Sequence, residues 1–184
     1  MIAITSLWLP IVLSAVLVWI ASAVVWTVMP HRRREFAGLP DEAAARAALR
    51  AAPAEYVVPY AHDAAAMKDP DYVRKMEEGP VAFVRVLPPG RPGMAKPMLL
   101  SFLYYLIVGV LVAYLASRTL DPGAHYLAVF RVTGAVAWTA HFFAAVPDSI
   151  WFGKPWTSTA KLLVESLVYA CLTAGAFGSL WPDL

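Results

Sequence analysis

Four apolar stretches, each about as long as a membrane-spanning helix, constrain this chain more than any other feature. They cover residues 1–29, 97–117, 126–146 and 158–180. A helix needs about 20 apolar residues to cross a hydrocarbon core of about 30 Å. With 60% hydrophobic and 15% charged residues among 184, the chain is too apolar for a soluble domain of its length. The sequence therefore predicts an all-α membrane protein with four transmembrane helices, three of them in residues 97–181.

Residues 30–96, between the first and second apolar stretches, have a very different composition. They hold eleven of the 15 Lys and Arg residues and nine of the 13 acids. Proline, acids and glycine at capping positions predict short helices over 39–52 and 69–78. Two β-like runs, 55–60 and 81–87, predict a two-stranded ribbon. Since such a ribbon is marginal alone, we expect this small α+β insertion to be covered by its helices, the membrane surface or a partner.

The basic residues next to the first apolar stretch predict the orientation of the chain. Three arginines, at positions 32 to 34, follow it directly, and no Lys or Arg precedes it, unlike in a secretory signal peptide. Basic residues collect on the cytoplasmic side of membrane proteins. We therefore expect residues 30–96 to be cytoplasmic and both termini to lie on the opposite side.

Small residues recur at every fourth position of the second and fourth predicted helices. They are Gly109, Ala113 and Ser117 on one helix, and Ala170, Ala174 and Gly178 on the other. Small side chains at this spacing let helix backbones approach closely. We expect tight packing at both surfaces, which favours a chain that assembles with other membrane subunits.

A few polar residues fall at membrane depth. With a rise of about 1.5 Å per residue, His141 and Glu165 both lie about 10 Å from the inner membrane face, and Tyr104 falls in the same layer. Arg131 lies about 9 Å from the outer face, about 13 Å from Glu165 along the membrane normal. We expect no ion pair between these two residues, and expect Arg131 to extend outward or to reach backbone carbonyls.

This polar layer has two interpretations. Ionisable residues inside a membrane are candidates for a site that handles protons or contacts a ligand. Alternatively, Glu165 forms a packing hydrogen bond with His141 or Tyr104, or reaches toward Lys161 one turn away.

Chemical motifs are missing from the sequence. The single cysteine, Cys171, allows no cysteine metal site, and His141 has no obvious second axial ligand for haem. No catalytic triad spacing or phosphate-binding loop occurs. A net charge of +2, spread along the chain, gives no case for nucleic acid. We therefore expect no enzyme activity, no metal and no cofactor.

The turn before the last helix is the most distinctive local sequence. Its characteristic residues are Trp151, Gly153, Lys154, Pro155 and Trp156. From the residues alone, this turn is an interfacial anchor with aromatic side chains at headgroup level. Together with residues 167–178, it resembles small uncharacterised bacterial inner-membrane proteins that share a Trp-aromatic-Gly-basic-Pro-Trp turn before a final helix. The resemblance implies a bacterial inner membrane, hence periplasmic termini, and implies no activity.

These features predict a non-catalytic membrane protein, an accessory or scaffold subunit of a larger complex such as an energy-transducing one. The alternative is a small transporter or proton-conducting protein that uses His141 and Glu165. Against the alternative, the spans lack the paired Gly/Pro-broken helices of many transporters.

Overall fold

The computed structural model describes residues 2–33, 35–50, 52–90 and 93–183. Four of its helical segments are long and apolar enough to cross a membrane: Ile4–Thr27, Ala95–Thr119, Tyr126–Trp151 and Trp156–Ser179. This confirms the predicted class, a multi-pass helical membrane protein. The chain divides into two compact units, Met1–Phe36 with Gly93–Leu184, and Ala37–Pro92.

The first unit is the membrane unit, and its described residues form six α-helices. They are α1 (Trp8–Thr27), α2 (Pro30–Arg33), α5 (Ala95–Thr119), α6 (Tyr126–Phe142), α7 (Val146–Trp151) and α8 (Trp156–Ser179). A 3-10 turn, Ile4–Leu7, precedes α1. The four long helices form a ring in which α1 packs against α5 and α8, and α6 packs against the same two helices.

The interior of the ring is closely packed, with an apolar core and several buried polar side chains such as Thr133 and Ser166. Leu7, Val112, Val129 and Phe177 are completely buried there. Large apolar side chains also cover the outer surface of the helices, for example Ile107 on α5. These apolar side chains suit contact with lipid, and the helices satisfy their own backbone hydrogen bonds, as a hydrocarbon environment requires.

Both ladders of small residues pack inside the membrane unit. A Cβ on Gly109 would lie 3.2 Å from the Ile11 carbonyl oxygen of α1, and a Cβ on Gly134 of α6 would lie 3.3 Å from the Ala174 Cβ. Gly178 faces the Tyr126 ring, 2.7 Å from where its Cβ would be. The other ladder residues are also buried, namely Ala113, Ser117 and Ala170. Packing within the chain therefore accounts for the ladders, and they give no support for a partner.

The third span continues past the position at which the sequence suggested its end. After α6 a 3-10 turn, Phe143–Ala145, leads into α7, and Pro147 lies in the first turn of that helix. Proline is tolerated there because the first N–H groups of a helix have no intrahelical partner. The reversal comes later, where the Asp148 carbonyl oxygen accepts hydrogen bonds from the N–H groups of Phe152 and Lys154. Gly153 adopts φ +67°, which glycine permits.

The second unit is the insertion, and it contains the expected kinds of element. They are α3 (Glu42–Ala48), β1 (Ala54–Val58), α4 (Pro70–Glu78) and β2 (Ala82–Val86). The strands pair antiparallel, which confirms the predicted two-stranded ribbon. Helix α3 is shorter than the predicted 39–52, since no residue of it is buried and a short isolated helix loses its last turns easily.

Candidate functional site

A bidentate ion pair lies inside the membrane unit, between the end of α1 and helix α8. The Arg32 Nε donates a hydrogen bond to Glu165 Oε1 at 2.8 Å, and its Nη2 donates to Oε2. Both side chains are almost fully buried, with exposed fractions of 7% and 6%. A paired fork of this kind is among the strongest polar contacts in proteins.

Three further residues extend this pair into a cluster. Arg32 Nη1 donates to Glu35 Oε2 at 3.0 Å, and Lys161 Nζ lies 3.4 Å from the other oxygen of Glu35. Lys161 also donates to the His31 carbonyl oxygen at 3.1 Å. The His31 Nε2 lies 2.8 Å from Glu165 Oε1. The two carboxylates thus balance Arg32 and Lys161, and we call these five residues the charge cluster.

The short helix α2 explains how the cluster forms. Pro30 begins this helix only three residues after α1 ends, so His31 and Arg32 stay next to the bundle. The Arg32 guanidinium also lies over the Trp26 ring of α1, 4.5 Å from its centre, a favourable cation–π position. Arginine is suited to this site because its planar group can bind a carboxylate and an aromatic face at once.

The contacts of the charge cluster favour the charged forms of Glu35 and Arg32. Burial by itself raises the pKa of Glu35, but the hydrogen bond and charge of Arg32, with help from Lys161, outweigh it and hold that pKa below its usual range. Burial also opposes the charge of Arg32, and the hydrogen bonds to Glu165 and Glu35 again outweigh it, raising the pKa of Arg32. Arg32 and Glu35 therefore carry opposite charges at neutral pH.

His141 belongs to a separate group, made with tyrosines. The Tyr104 hydroxyl donates to the Ala140 carbonyl oxygen at 3.1 Å and lies 3.5 Å from His141 Nδ1. The rings of Tyr105 and Tyr169 are each steeply inclined to the His141 ring, and the centre of each lies 5.8 Å from the centre of the His141 ring. The Tyr169 hydroxyl is buried and makes no hydrogen bond with any part of the chain that the structure describes.

The structure therefore divides the polar layer that the sequence suggested. Glu165 binds Arg32 and His31, in place of the expected contact with His141, Tyr104 or Lys161. Tyr104 and His141 do come together, as neighbours in the tyrosine group. Arg32 is not predicted as a partner of Glu165, because its position among basic residues after the first span indicates only the orientation of the chain. An unpaired acid at membrane depth was the available clue, since a buried carboxylate requires a cation.

Arg131 lies apart from both groups, on the outer surface of α6. As expected, it forms no ion pair with Glu165. It adjoins an apolar cavity between α6 and α8.

The turn before α8 exposes its aromatic residues. Trp151 and Trp156 are 74% and 60% exposed. Lys154 Nζ lies 3.8 Å from Asp148 Oδ2, and a buried hydrogen bond of 2.5 Å between the Ser149 and Thr159 hydroxyls holds α7 against α8. A rigid turn with outward-facing tryptophans suits an anchor at the membrane interface.

Within the described ranges, no group of three or more His, Cys, Asp or Glu residues is arranged to hold a metal ion. Comparison with known proteins adds no candidate function, since no family model, curated protein or solved structure matches the chain.

Proposed function

We propose that this chain is a non-catalytic accessory or scaffold subunit of a larger membrane complex, and that its insertion binds a partner subunit. One observation carries the proposal: among the residues described in the unit Ala37–Pro92, none is buried. A folded unit normally hides apolar side chains from water. A unit that does not do so by itself gains stability when another surface covers it.

The two-stranded ribbon is the part of the insertion that exposes the apolar surface best suited to a partner subunit. Its strands and their flanks expose large apolar side chains between 37% and 72%, namely Tyr56, Val58, Tyr60, Val81, Phe83 and Leu87. A two-stranded ribbon is marginally stable unless a further surface packs on it. Unpaired strand edges also accept strands from other chains. Exposed aromatic and apolar residues next to such edges are typical of a protein contact.

The charge cluster supports a structural role for the membrane unit. Both carboxylates of the cluster lie in ion pairs with Arg32, His31 or Lys161, which disfavours a role as a general base. The cluster instead joins the end of α1 to α8. This arrangement favours a scaffold over a catalyst.

We further propose that the protein lies in a bacterial inner membrane, with the insertion in the cytoplasm and both termini in the periplasm. The arginines at positions 33 and 34 and Lys154 support this orientation by the positive-inside rule. A reporter fused after the last residue should be active in the periplasm. Cytoplasmic activity of that reporter would contradict the orientation.

The interaction is tested by affinity purification of the tagged full chain in mild detergent. We expect a stoichiometric partner subunit with the wild type, and its loss from Tyr60→Glu and from Leu87→Glu. Leu39→Glu is the matched control, because Leu39 is similarly exposed in the same unit but lies outside the ribbon. A wild-type protein that purifies alone, or loss of the partner from all three variants alike, would contradict the proposal.

A proton-conducting protein is the second candidate, and the Tyr169 hydroxyl favours it. This group is buried without a hydrogen-bond partner among the residues that the structure describes. It adjoins His141 and lies on α8 one turn after Glu165. A hydroxyl in that position could pass a proton between the two polar groups. Proton flux into vesicles that is present in the wild type and lost in Tyr169→Phe, with unchanged folding, would favour this candidate over the scaffold.

A further inference from the structure

An apolar groove runs along the outer surface of the membrane unit, between α6 and α8. It has a volume of about 240 Å³. Its walls include Phe130, Gly134 and Trp138 of α6, and Leu167, Ala170 and Cys171 of α8. The groove exists because α6 approaches α8 closely at Gly134, where a Cβ would lie 3.3 Å from Ala174. Small residues thus form the floor, and larger side chains form the rims.

The positively charged side chain of Arg131 lies at one end of this groove. Arg131 is exposed there, and no acidic side chain in the described part of the chain forms an ion pair with it. It lies five residues into α6, about 8 Å from the helix end at Tyr126. A long arginine side chain at this depth can extend its guanidinium to the headgroup region while its methylenes stay in the hydrocarbon.

The groove is short enough to lie within one leaflet of a bilayer. From Arg131 to Trp138 the groove extends about 10 Å along α6. One leaflet provides about 15 Å of hydrocarbon, half of the core thickness. The groove therefore begins near the headgroups on the side of the α6 N-terminus and ends near the membrane centre.

We propose that this groove binds an anionic phospholipid, with its phosphate on Arg131 and one acyl chain along the groove floor. Charge complementarity selects this occupant. An apolar helix from another protein would cover Arg131 without neutralising it, and a covered, unpaired cation is very unfavourable. A phosphodiester supplies the missing negative charge and suits the planar guanidinium.

Lipid binding is tested by native mass spectrometry of the full chain released from phosphatidylglycerol or phosphatidylcholine nanodiscs. We expect the wild type to retain phosphatidylglycerol at least fivefold better than phosphatidylcholine. Arg131→Gln should abolish this preference. Arg118→Gln is the matched control, because it removes the same charge near the same membrane face, at the end of α5 and away from the groove.

A second pair of variants tests the acyl chain. Cys171→Phe should fill the groove and reduce retention of both lipids, whereas Cys171→Ser should keep the wild-type behaviour. Because Cys171 is exposed, neither change disturbs the core. A lipid preference that survives Arg131→Gln would overturn the proposal. Loss of a bound protein in Cys171→Phe, with lipid retention unchanged, would assign the groove to a partner helix and would equally overturn it.

Discussion

The same two residue types, arginine and glutamate, form ion pairs in both units of this protein, in opposite surroundings. In the membrane unit, Arg32 and Glu165 are 7% and 6% exposed. In the insertion, Arg85 and Glu55 face each other across the ribbon and are both 73% exposed. The chemistry of the two pairs is alike, so their difference in burial decides what each pair does.

A buried ion pair restricts how its helices can pack, but burial does not increase the net contribution of the pair to the free energy of folding. Removing two charges from water costs several kcal/mol for each ion, and the pair only offsets this cost when every charge is bound. An exposed pair costs little and contributes about 0.2–1 kcal/mol. The buried pair therefore constrains how the helices of the membrane unit pack, whereas the described part of the insertion has no buried residue and its ion pair stays in water.

The strongest test of this comparison is Glu165→Gln. The variant removes the carboxylate that binds the buried Arg32 at two atoms and leaves only Glu35 opposite it, so we expect a loss of about 3–5 kcal/mol in the free energy of unfolding. Titration of the detergent-solubilised protein with a denaturing detergent measures this loss. A double replacement of Arg32 and Glu165 by methionine should restore only part of the stability, because Glu35 then loses Arg32 and keeps only Lys161. A loss no larger than that of Glu55→Gln would show that burial does not separate the two pairs.

A pH-dependent effect is expected at Glu35. Because Arg32 and Lys161 lower the pKa of Glu35 in the folded protein, its stabilising effect is complete above its unfolded pKa of about 4.3 and disappears as the pH falls through the lower folded value. Glu35→Gln should thus cost about 2 kcal/mol at pH 7. Unfolding measured from pH 7 to pH 3 should show wild type and variant converging only below about pH 4. A constant difference over this range would exclude the ionised contact.

A smaller loss of unfolding free energy is expected from close helix packing, and two glycines of α8 allow a direct comparison. A Cβ at Gly178 would lie 2.7 Å from the Tyr126 ring, whereas one at Gly175 would be 4.0 Å from its nearest neighbour, the Tyr126 hydroxyl. Gly178→Ala should lower the unfolding free energy by about 1 kcal/mol, because the ring must move. Gly175→Ala should be neutral or slightly stabilising, since alanine favours the helix. Equal values for both variants in the same detergent titration would mean that Gly178 has room.

The smallest effect is expected at Arg85 in the insertion. Its pair with Glu55 is solvated, so Arg85→Gln should cost less than about 1 kcal/mol and should lose most of that cost in high salt. Hydrogen exchange of the amides in β1 and β2 measures this locally. A cost comparable to that of Glu165→Gln would indicate that the isolated insertion already holds this pair out of water.

Sequence patterns predicted the membrane class and the elements of the insertion with few errors. Long apolar stretches leave the helix as the simplest way to satisfy backbone groups in lipid, so four stretches imply four helices. Helix α4 was predictable because its Asp69 cap, Pro70 and Gly79 are local signals. The shorter α3 and the late reversal after Pro147 were less predictable, since helix ends depend on packing as well as on capping residues.

The depth of the residues in the candidate site could be predicted from the sequence, but their contacts could not. Spacing placed His141 and Glu165 at the same depth, and Tyr104 beside them, because helical rise fixes depth. It could not place them in contact, because rotation about each helix axis and the order of helices in the ring determine which side chains meet. In the structure His141 faces tyrosines, and Glu165 faces the turn that follows α1.

The sequence by itself determined that this protein spans a membrane, since each stretch of about 20 apolar residues is a local property that no tertiary contact can reverse. The tertiary structure alone decided that Arg32 neutralises Glu165, that the small-residue ladders pack inside the chain, and that a groove opens beside Arg131. All three features arise from contacts between residues that are distant in the chain. Each depends on how the helices are arranged around one another, which the order of residues along a single helix does not encode.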